Sequence, residues 1–297
     1  MVDSEKNDDE MKRNILIADS GSTKTEWALV DGKSVVGRLL TQGINPYVLS
    51  DNQVQRVLCD ELCSHLSVER VEEVRFYGAG CRGDQLLRMS RLIAGVMPSG
   101  CEVKVASDLL GAAQALCGNA DGIACILGTG SNSCLYQNGE IVQNVSPLGY
   151  VLGDEGSGAV LGRRLVGDVL KSQLSASVCD AFHSQMRLSA DEIIHRVYKE
   201  PMANRFLASF APFLSQYQAE ESVHQLLVDE FSRFVVRNLL SYGHKDLPVH
   251  FVGSIAVHFR PVLVEVLHSY GLYVGKVLRA PMDGLLDQII IQNPMMR

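Results

Sequence analysis

Apolar and polar residues alternate in short runs at the start of the chain, and this pattern predicts strands. The runs Asn14–Ala18, Thr25–Val30 and Ser34–Leu40 are brief and rich in β-branched residues, as strands usually are. The dipeptide Asp31-Gly32 separates the second run from the third. We expect a type I′ hairpin there, because this turn needs positive φ at both central residues and Asp-Gly supplies them readily.

The same order of strands and turns recurs in the second half of the chain, which indicates an internal duplication. Its three predicted strands are Gly122–Leu127, Ser133–Tyr136 and Glu140–Val145. The hairpin turn Asn138-Gly139 lies between the second strand and the third. Each half then continues with alternating strands and helices, which are Val74–Gly78, Gln85–Val96, Glu102–Ala106 and Leu109–Leu116 in the first half and Val249–Gly253, Val257–Tyr270, Leu272–Leu278 and Asp283–Ile291 in the second.

Strands that alternate with helices of this length predict layered α/β domains. At roughly 100–200 residues per domain, the chain of 297 residues has room for two. We expect a disordered acidic tail over residues 1–13, a first domain over 14–118 and a second domain over 119–282. The second domain carries a helical insertion at about 158–246. Two similar domains imply a cleft between them, which is where small ligands usually bind.

Composition and charge argue against several classes of partner. The chain has 34 acidic and 27 basic residues, a net charge of −7, and 46 % hydrophobic residues. Lysine and arginine do not cluster, so we expect no nucleic-acid partner. We also expect no membrane association, since the longest uncharged stretch is too polar to span a bilayer.

The eight cysteines are scattered, without a C-x-x-C pair and without histidines at zinc-finger spacing. Neither a metal knuckle nor a redox pair is therefore predicted. Buried thiols are the expected state of these residues, and they fit a reducing cytoplasm. The first residues also lack the apolar core of a secretory signal, so a cytoplasmic location is expected.

Two turns rich in glycine, serine and threonine follow the first strand of each half. Asp19-Ser-Gly-Ser-Thr-Lys-Thr25 and Gly128-Thr-Gly-Ser-Asn132 both place backbone N–H groups and hydroxyls close together, an arrangement that binds phosphate oxygens. Either turn alone is more often only a turn. Their equivalent places in a duplicated chain favour a nucleotide site. Asp19, at the end of its strand, could hold a hydrated Mg²⁺.

Acidic residues next to predicted helices provide candidates for chemistry. Asp108 follows a strand and precedes a helix, where either it or Ser107 could be the N-cap. A carboxylate in this place could also accept the proton of a hydroxyl that attacks a phosphoryl group. The segment Gly149–Ser157 combines three glycines with two adjacent acids. Such a segment forms either a turn or a loop that holds a ligand.

One motif does not carry the function that its pattern suggests. Gly78-Ala-Gly-Cys-Arg-Gly83 matches G-x-G-x-x-G after a strand. The first strand of the chain, however, belongs to a hairpin rather than to the βαβ unit that binds dinucleotides. We therefore do not predict a dinucleotide site there.

Four motifs occur in order along the chain: Asp-x-Gly-x-Thr-Lys-Thr at 19–25, Gly-Thr-Gly-Ser-Asn at 128–132, Gly-Asp-Glu-Gly-Ser at 153–157 and Val-Gly-Ser at 252–254. Together they resemble the BadF/BadG/BcrA/BcrD ATPase family, and specifically its N-acetylglucosamine kinase branch. The resemblance implies two duplicated actin-like (ribonuclease H-like) ATPase domains. Each would be a mixed β-sheet flanked by helices, with ATP in the cleft. It also implies that a final helix at about 283–297 returns to the first domain.

The resemblance implies a role for particular residues. Those expected to bind the phosphates of ATP are Gly21, Ser22, Thr23, Lys24, Gly128, Thr129, Gly130 and Ser131. Gly253 and Ser254 would lie beside the adenosine, and Asp19 would hold Mg²⁺ through water. Asp108 would be the general base. The residues expected to contact the sugar are Asn45, Asp108, Thr129, Gly149 and Asp154.

This chain departs from the family pattern in three places. Ser146-Pro-Leu-Gly149 replaces Gly-Gly-Trp-Gly, which lies near the sugar in relatives. Phe251-Val-Gly-Ser254 replaces Val-Gly-Gly-Ser, and Asp283-Gly284 replaces Gly-Ala. The first departure leaves open which substituent the sugar carries at C2 or C3.

We therefore expect a kinase that uses ATP and Mg²⁺ to phosphorylate an amino sugar at the 6-hydroxyl. N-acetylglucosamine is the first candidate, with glucosamine and N-acetylmuramic acid next, and the protein is expected to be a homodimer. One alternative is an activator ATPase with an iron–sulfur cluster shared between subunits. Cys125 and Cys134 flank the second turn but fit core packing better. The other alternative is a non-catalytic sugar sensor.

Overall fold

A computed structural model describes residues 14–21 and 23–292, with side chains up to Ile289. The expected tail at 1–13, Ser22 and the last five residues lie outside the described residues. The chain divides into two compact units. The first contains the described residues up to Gly118 together with those from Pro281 onward, and the second is Asn119–Ala280.

The first unit is built on a mixed sheet of five strands. They are β1 (Asn14–Ser20), β2 (Lys24–Asp31), β3 (Ser34–Gln42), β4 (Glu73–Gly78) and β5 (Glu102–Ser107). Their order across the sheet is β3-β2-β1-β4-β5. β2 is antiparallel to both of its neighbours, whereas β1, β4 and β5 run parallel. The helices in this part of the chain are α1 (Asp51–Arg56), which continues as a π-helical segment (Val57–Cys63), α2 (Asp84–Ala94) and α3 (Asp108–Cys117).

The second unit repeats this sheet. Its strands are β6 (Gly122–Leu127), β7 (Ser131–Gln137), β8 (Glu140–Val145), β9 (Val249–Val252) and β10 (Val274–Leu278). Their order is β8-β7-β6-β9-β10, with the same antiparallel and parallel pairings as in the first sheet. Two sheets with one topology confirm the predicted duplication and the predicted actin-like fold class.

Helices fill the long connection between β8 and β9 and follow β9. They are α4 (Gly149–Leu152), α5 (Gly158–Leu170), α6 (Ala176–Met186), α7 (Ala190–Tyr198), α8 (Ala203–Ala208), α9 (Ala211–Gln216), α10 (Glu221–Phe234), α11 (Ser254–His258) and α12 (Arg260–Ser269). A π-helical segment (Val235–Leu239) and a 3₁₀ turn (Leu240–Tyr242) follow α10. None of the helices in the described part of the chain is both long and apolar enough to cross a lipid bilayer.

The first hairpin differs from the expected type I′ turn, and that prediction is wrong. Asp31 pairs with Ser34 and so remains in the strand, which leaves Gly32 and Lys33 as the central residues. Only Gly32 has positive φ, at +59°, which is the pattern of a type II′ turn. A glycine in the first central position satisfies that turn by itself, so the strand extends one residue further than expected.

The last helix, α13 (Met282–Gln292), packs against α3 in the first unit. Its buried side chains share an apolar cluster with Ile15 of β1 and Ala115 of α3. The helices approach so closely that a Cβ atom added to Gly284 would lie 2.5 Å from the carbonyl oxygen of Ala115. A glycine in α13 therefore sets the distance between these two helices.

The substitution Gly284→Ala should destabilise the protein by about 1–3 kcal/mol, because backbone must move to admit the methyl group. The matched control is Gly167→Ala in α5, where an added Cβ meets no atom within 4 Å. This control should stabilise the protein by about 0.5–1 kcal/mol, since glycine is the poorer helix former. Urea unfolding measures both free energies. Equal effects of the two substitutions would contradict the close approach.

Candidate active site

Two acidic side chains lie at the carboxyl edge of the first sheet, where α/β proteins usually bind ligands. Asp19 is the last residue but one of β1, and Asp108 follows β5 directly. The strand β4 lies between them, with Ser20 opposite Gly78 and Gly78 opposite Ser107. The structure therefore brings two of the predicted functional residues to one edge.

The surroundings of both groups favour the protonated form. Burial raises the pKa of Asp19 to about 7, and the charges of Asp108 and Glu26 add to this effect while Lys24 opposes it. Burial also raises the pKa of Asp108, against the opposing effect of backbone N–H donors and of Arg82. Carboxyl groups with raised pKa values are typical of sites that bind a cation or transfer a proton.

The N-cap of α3 is Ser107 and not Asp108. The Ser107 hydroxyl accepts a hydrogen bond from the Leu110 N–H at 3.2 Å. Asp108 is the first residue of the helix, and its Oδ1 accepts from the Leu109 N–H at 2.9 Å. Of the two capping candidates in the sequence, Ser107 is the N-cap, so capping does not explain why an aspartate occupies position 108.

The first glycine-rich turn is closed by its own backbone. The N–H of Gly21 donates to the carbonyl oxygen of Lys24 at 3.0 Å, and the N–H of Gly43 donates to that of Thr23 at 3.1 Å. The N–H of Gly21 and the carbonyl oxygen of Thr23 are thus used in hydrogen bonds that set the shape of the turn. Lys24 is exposed and lowers the pKa of the partly buried Asp19, so it supplies positive charge here. The predicted Ser22 lies outside the described residues.

Buried hydroxyl groups attach the segment that contains Asn45 to the end of β1. The Ser20 Oγ lies 2.6 Å from the Thr25 Oγ1, donates to the Ile44 carbonyl oxygen at 3.0 Å, and accepts from the Ile44 N–H at 3.0 Å. The next residue, Asn45, accepts the Tyr47 N–H at its Oδ1. Sequence reasoning missed the roles of Ser20 and Thr25, although both lie within the first motif.

A glycine and an arginine then fix this segment from the other side. Gly80 has a φ of +79°, and a Cβ added to it would lie 2.5 Å from the Asn45 Oδ1. Arg88 of α2 donates to the carbonyl oxygens of Pro46 and Leu49 and pairs with Asp51 at 2.6 Å. Nothing in the local pattern of an amphipathic helix distinguishes this arginine, so the sequence did not reveal it.

The second glycine-rich turn is held by the first turn of helix α5. The N–H of Gly128 donates to the carbonyl oxygen of Gly130 at 2.9 Å, which closes the turn. The N–H groups of Gly158 and Ala159 donate to the carbonyl oxygens of Gly128 and Thr129 at 2.8 and 3.1 Å. Helix-terminal N–H groups that would otherwise lack partners therefore fix the conformation of this turn.

Asp154 connects the second turn to the segment before it. Burial raises the pKa of its carboxyl group to about 6, against the opposing effect of the backbone N–H groups of Ser131 and Gly149. Gly130 lies alongside, since an added Cβ would be 3.1 Å from the Asp154 Oδ2. The structure thus brings four predicted residues of the second unit together around one carboxylate.

The neighbouring acid, Glu155, has a different role. It is 5 % exposed, pairs with the Nε of Arg237, and accepts from the Asn238 Nδ2 at 3.3 Å. Both partners belong to the π-helical segment after α10, a type of irregularity common at functional sites. Glu155 therefore anchors the backbone beside Asp154. The sequence offered no signal for these partners, because they are distant along the chain.

A cavity of about 600 Å³ opens beside the second turn, within the size range of small-ligand sites. Residues of α8, α9 and α11 complete its lining, which includes Gly128, Thr129, Ala208, Pro212, Gln216 and Ser254. Ser254, one of the two residues expected beside adenosine, therefore lines the cavity. The residues of the helical insertion were not predicted, because small apolar residues in short helices carry no distinctive pattern.

Gly253 does not line this cavity, and its contribution is steric. Its φ is +124°, and an added Cβ would lie 2.1 Å from the Leu127 carbonyl oxygen. No side chain fits at this point where β6 and β9 end next to each other. Gly253 therefore permits the close contact of the two strand ends that carry the turn and α11.

The acidic residues also fit a magnesium ion in one particular way. Within the described ranges, no group of three or more His, Cys, Asp or Glu side chains is placed to hold a metal, so a complete protein cage is absent there. Mg²⁺ characteristically binds through one or two carboxylates, water and substrate phosphate. Asp19 supplies such a carboxylate, and its raised pKa is what an anion awaiting a cation would show.

Comparison with solved structures shows that the chain resembles known kinases. A candidate N-acetylglucosamine kinase from Porphyromonas gingivalis is 45 % identical, with a TM-score of 0.90, and the alignment covers 94 % of this chain and all of that one. No model of a known protein family matches the chain, and no curated protein matches it.

Two more distant structures share the fold alone. A candidate N-acetylglucosamine kinase from Chromobacterium violaceum is 17 % identical with a TM-score of 0.72, and the alignment covers 93 % of this chain and 99 % of that one. A ROK family glucokinase from Streptomyces griseus, solved with glucose and AMPPNP, is 14 % identical with a TM-score of 0.59 over 94 % and 98 % of the two chains.

The role of Arg88 can be tested by hydrogen exchange. The substitution Arg88→Ala should speed amide exchange at Val48 and Leu49 by about tenfold or more, because the segment loses its anchors on α2. Arg91→Ala, an exposed position on the same helix, is the control and should leave these amides unchanged. Unaltered exchange in Arg88→Ala would show that the segment is held without this arginine.

Proposed function

This chain belongs to the actin-like sugar kinases, since it is 45 % identical over nearly its whole length to a member of that family. From this premise, we propose that it transfers the γ-phosphoryl group of ATP to the 6-hydroxyl of an amino sugar, with N-acetylglucosamine as the first candidate. The observation that carries the proposal is Asp108, a partly buried acid with a raised pKa at the carboxyl edge of its sheet, where Ser107 and not Asp108 caps the helix.

In this proposal, Asp108 is the general base. It accepts the proton of the 6-hydroxyl while the sugar oxygen forms a bond to the γ-phosphorus and the bond to the departing ADP breaks. Its raised pKa supports this role, because a base whose pKa lies closer to neutral accepts a proton more readily in the transition state. The Leu109 N–H at 2.9 Å keeps the carboxylate oriented.

The phosphates of ATP are assigned to the two glycine-rich turns. Lys24 provides charge in the first turn, and Thr129, Gly130 and Ser131 provide the second, whose conformation α5 fixes. Asp19 would hold Mg²⁺ through water, and the ion, when bound, neutralises charge on the phosphate oxygens. A preorganised turn lowers the barrier, since its dipoles need not reorient during the reaction.

We assign the adenosine to the cavity beside the second turn. Its size suits a nucleoside, and Ser254 lies on its wall. The amide side chain of Gln216, also on the wall, carries both a donor and an acceptor. A base with both kinds of group on its edge, as adenine has, is complementary to such a side chain.

The sugar is assigned to Asn45, Asp108, Thr129, Gly149 and Asp154. Carboxylate and amide oxygens are effective acceptors for sugar hydroxyl groups, and each of these residues has a fixed backbone. Asn45 is held through Ser20 and Gly80, and Asp154 through Glu155. Rigid supports of this kind maintain the alignment of the acceptor hydroxyl that the reaction requires.

The activator ATPase is not favoured as an alternative. Cys125 and Cys134 are fully buried within β6 and β7, so they are not presented at a surface where two subunits could share a cluster. A non-catalytic sugar sensor would not need an acid of raised pKa at Asp108, where Ser107 already caps the helix. The assay below separates this alternative from a kinase.

The substitution Asp108→Asn should reduce kcat by roughly 10²–10⁴-fold and leave ATP affinity nearly unchanged, because the proton acceptor is lost while the nucleotide contacts stay. A coupled ADP-release assay with MgATP and a panel of amino sugars measures turnover, and calorimetry measures ATP binding. The amide can still accept the Leu109 N–H, so the fold should persist. Turnover retained in this variant would refute the base assignment, and sugar binding without ADP release by the unsubstituted protein would indicate a sensor.

The pKa of about 6 at Asp154 predicts a pH effect on sugar binding. Above pH 6 the carboxylate is ionised and accepts hydroxyl groups. Below pH 6 it is protonated, so KM for the sugar should rise about tenfold for each further pH unit. An ordinary aspartate would show this change only near pH 4. Asp154→Asn should have a high KM that does not change around pH 6, and initial rates measured from pH 5 to 8 provide the comparison.

A further inference from the structure

Arg82 is an exposed cation beside the proposed sugar residues, and the reaction described above does not use it. It lies in the turn after β4, between the buried Cys81 and the first residue of α2. The N–H of Arg82 donates to the Gly80 carbonyl oxygen at 3.0 Å, and its carbonyl oxygen accepts from Gln85 at 3.2 Å. Its backbone is therefore fixed, although its side chain reaches solvent.

The guanidinium group of Arg82 lies over the ring of Tyr47, 5.6 Å from its centroid. Tyr47 follows Asn45 by two residues and is oriented by the hydrogen bond from its N–H to the Asn45 Oδ1. The same two side chains face Gly80, where an added Cβ would lie 2.5 Å from Asn45 and 2.9 Å from Tyr47. Arg82, Tyr47 and Asn45 thus form one surface.

Among the described residues, none forms an ion pair with Arg82. Arg88 pairs with Asp51, and Arg75 and Lys104 share Glu73, whereas no carboxylate in the described part of the chain lies within pairing distance of Arg82. The charge of Arg82 lowers the pKa of Asp108. An acceptor sugar held at Asp108 would therefore come within reach of this guanidinium group.

A guanidinium group stacked on an aromatic ring keeps its N–H edge available, and that edge matches the two oxygens of a carboxylate. Tyr47 is 61 % exposed, so its ring also offers an apolar surface to the carbon atoms that would carry such a group. Resting on the proposed function, we propose that Arg82 and Tyr47 recognise a carboxylate on the acceptor, so that the preferred substrate is an N-acetylhexosamine with an acidic side arm on its ring.

A role for Arg82 in binding the transferred phosphoryl group is the competing explanation. The placement argues against it, because Arg82 stacks on the segment of Asn45 rather than on either glycine-rich turn. Lys24 already supplies charge at the first turn. The net charge of −7 makes a local cation necessary for an anionic sugar. The two explanations also differ in outcome, since a phosphoryl contact would serve every acceptor equally.

Three acceptors test the proposal with the full-length protein. N-acetylmuramic acid carries a lactyl ether with a carboxylate, its methyl ester has nearly the same size without the charge, and N-acetylglucosamine lacks the side arm. The unsubstituted kinase should show a kcat/KM at least tenfold higher for the acid than for the ester. Arg82→Gln should lower kcat/KM for the acid by roughly 10–100-fold and much less for the two neutral sugars, through KM rather than kcat.

Two further variants exclude a purely structural effect. Arg82→Lys keeps the charge but not the forked donors, so it should recover only part of the preference for the acid. Arg91→Gln, at an exposed position on α2, should change neither the preference nor the melting temperature. A loss that is equal for all three acceptors in Arg82→Gln, or an unsubstituted kinase that does not prefer the acid to the ester, would overturn the proposal.

The failure of this proposal and that of the kinase assignment give different results. If neutral amino sugars are phosphorylated and the acid is not preferred, the kinase assignment stands and the role of Arg82 is wrong. If no acceptor yields ADP, the kinase assignment fails, and calorimetry with N-acetylmuramic acid then decides the role of Arg82. Binding that Arg82→Gln abolishes supports recognition of the carboxylate, and binding that is equal in both proteins overturns it.

Discussion

Two partly buried acidic side chains at one edge of the first sheet, Asp19 and Asp108, are the constraint on which the first unit depends. Loss of hydration at the sheet edge raises the pKa of both groups, and the charge of Asp108 raises the pKa of Asp19 further. A protein that needed these positions only for stability would gain from apolar residues there. The surrounding structure keeps them in place instead. Ser107 caps α3, which leaves the neighbouring acid for another purpose, and the hydroxyl groups of Ser20 and Thr25 secure the adjoining segment.

The duplicated sheets show that one topology can support two kinds of chemistry. Asp19 and Asp108 provide carboxyl groups in the first unit, at the edge of the sheet where its parallel strands end. At the equivalent edge of the second unit, the N–H groups of α5 hold the turn, and Gly253 occupies a place where no larger residue fits. Asp154 adds a carboxylate beside that turn, so the second unit combines a fixed backbone with one acidic side chain, whereas the first unit relies on two.

The parts of the structure that local pattern determines could be predicted from the sequence. Alternating apolar residues and glycine-rich turns identified the strands and the duplication, because both signals act within a few residues. Contacts between distant segments could not be predicted in this way. They include the hydrogen bonds from Arg88 to Pro46 and Leu49 and the ion pair of Glu155 with Arg237. The first hairpin shows a third case, since one glycine at Gly32 satisfied the turn and left the acid before it in the strand.

The first unit is assembled from two separate stretches of the chain, because α13 comes after the whole second unit in the sequence. During synthesis, this helix leaves the ribosome only after the second unit has been completed. The apolar surface around Ile15 and Ala115 that α13 covers therefore stays open to water and to other nascent chains throughout that interval. The second unit is continuous in sequence and can finish folding first. A chaperone that covers the exposed apolar surface of the first unit would therefore bind the part of the chain that is translated earliest.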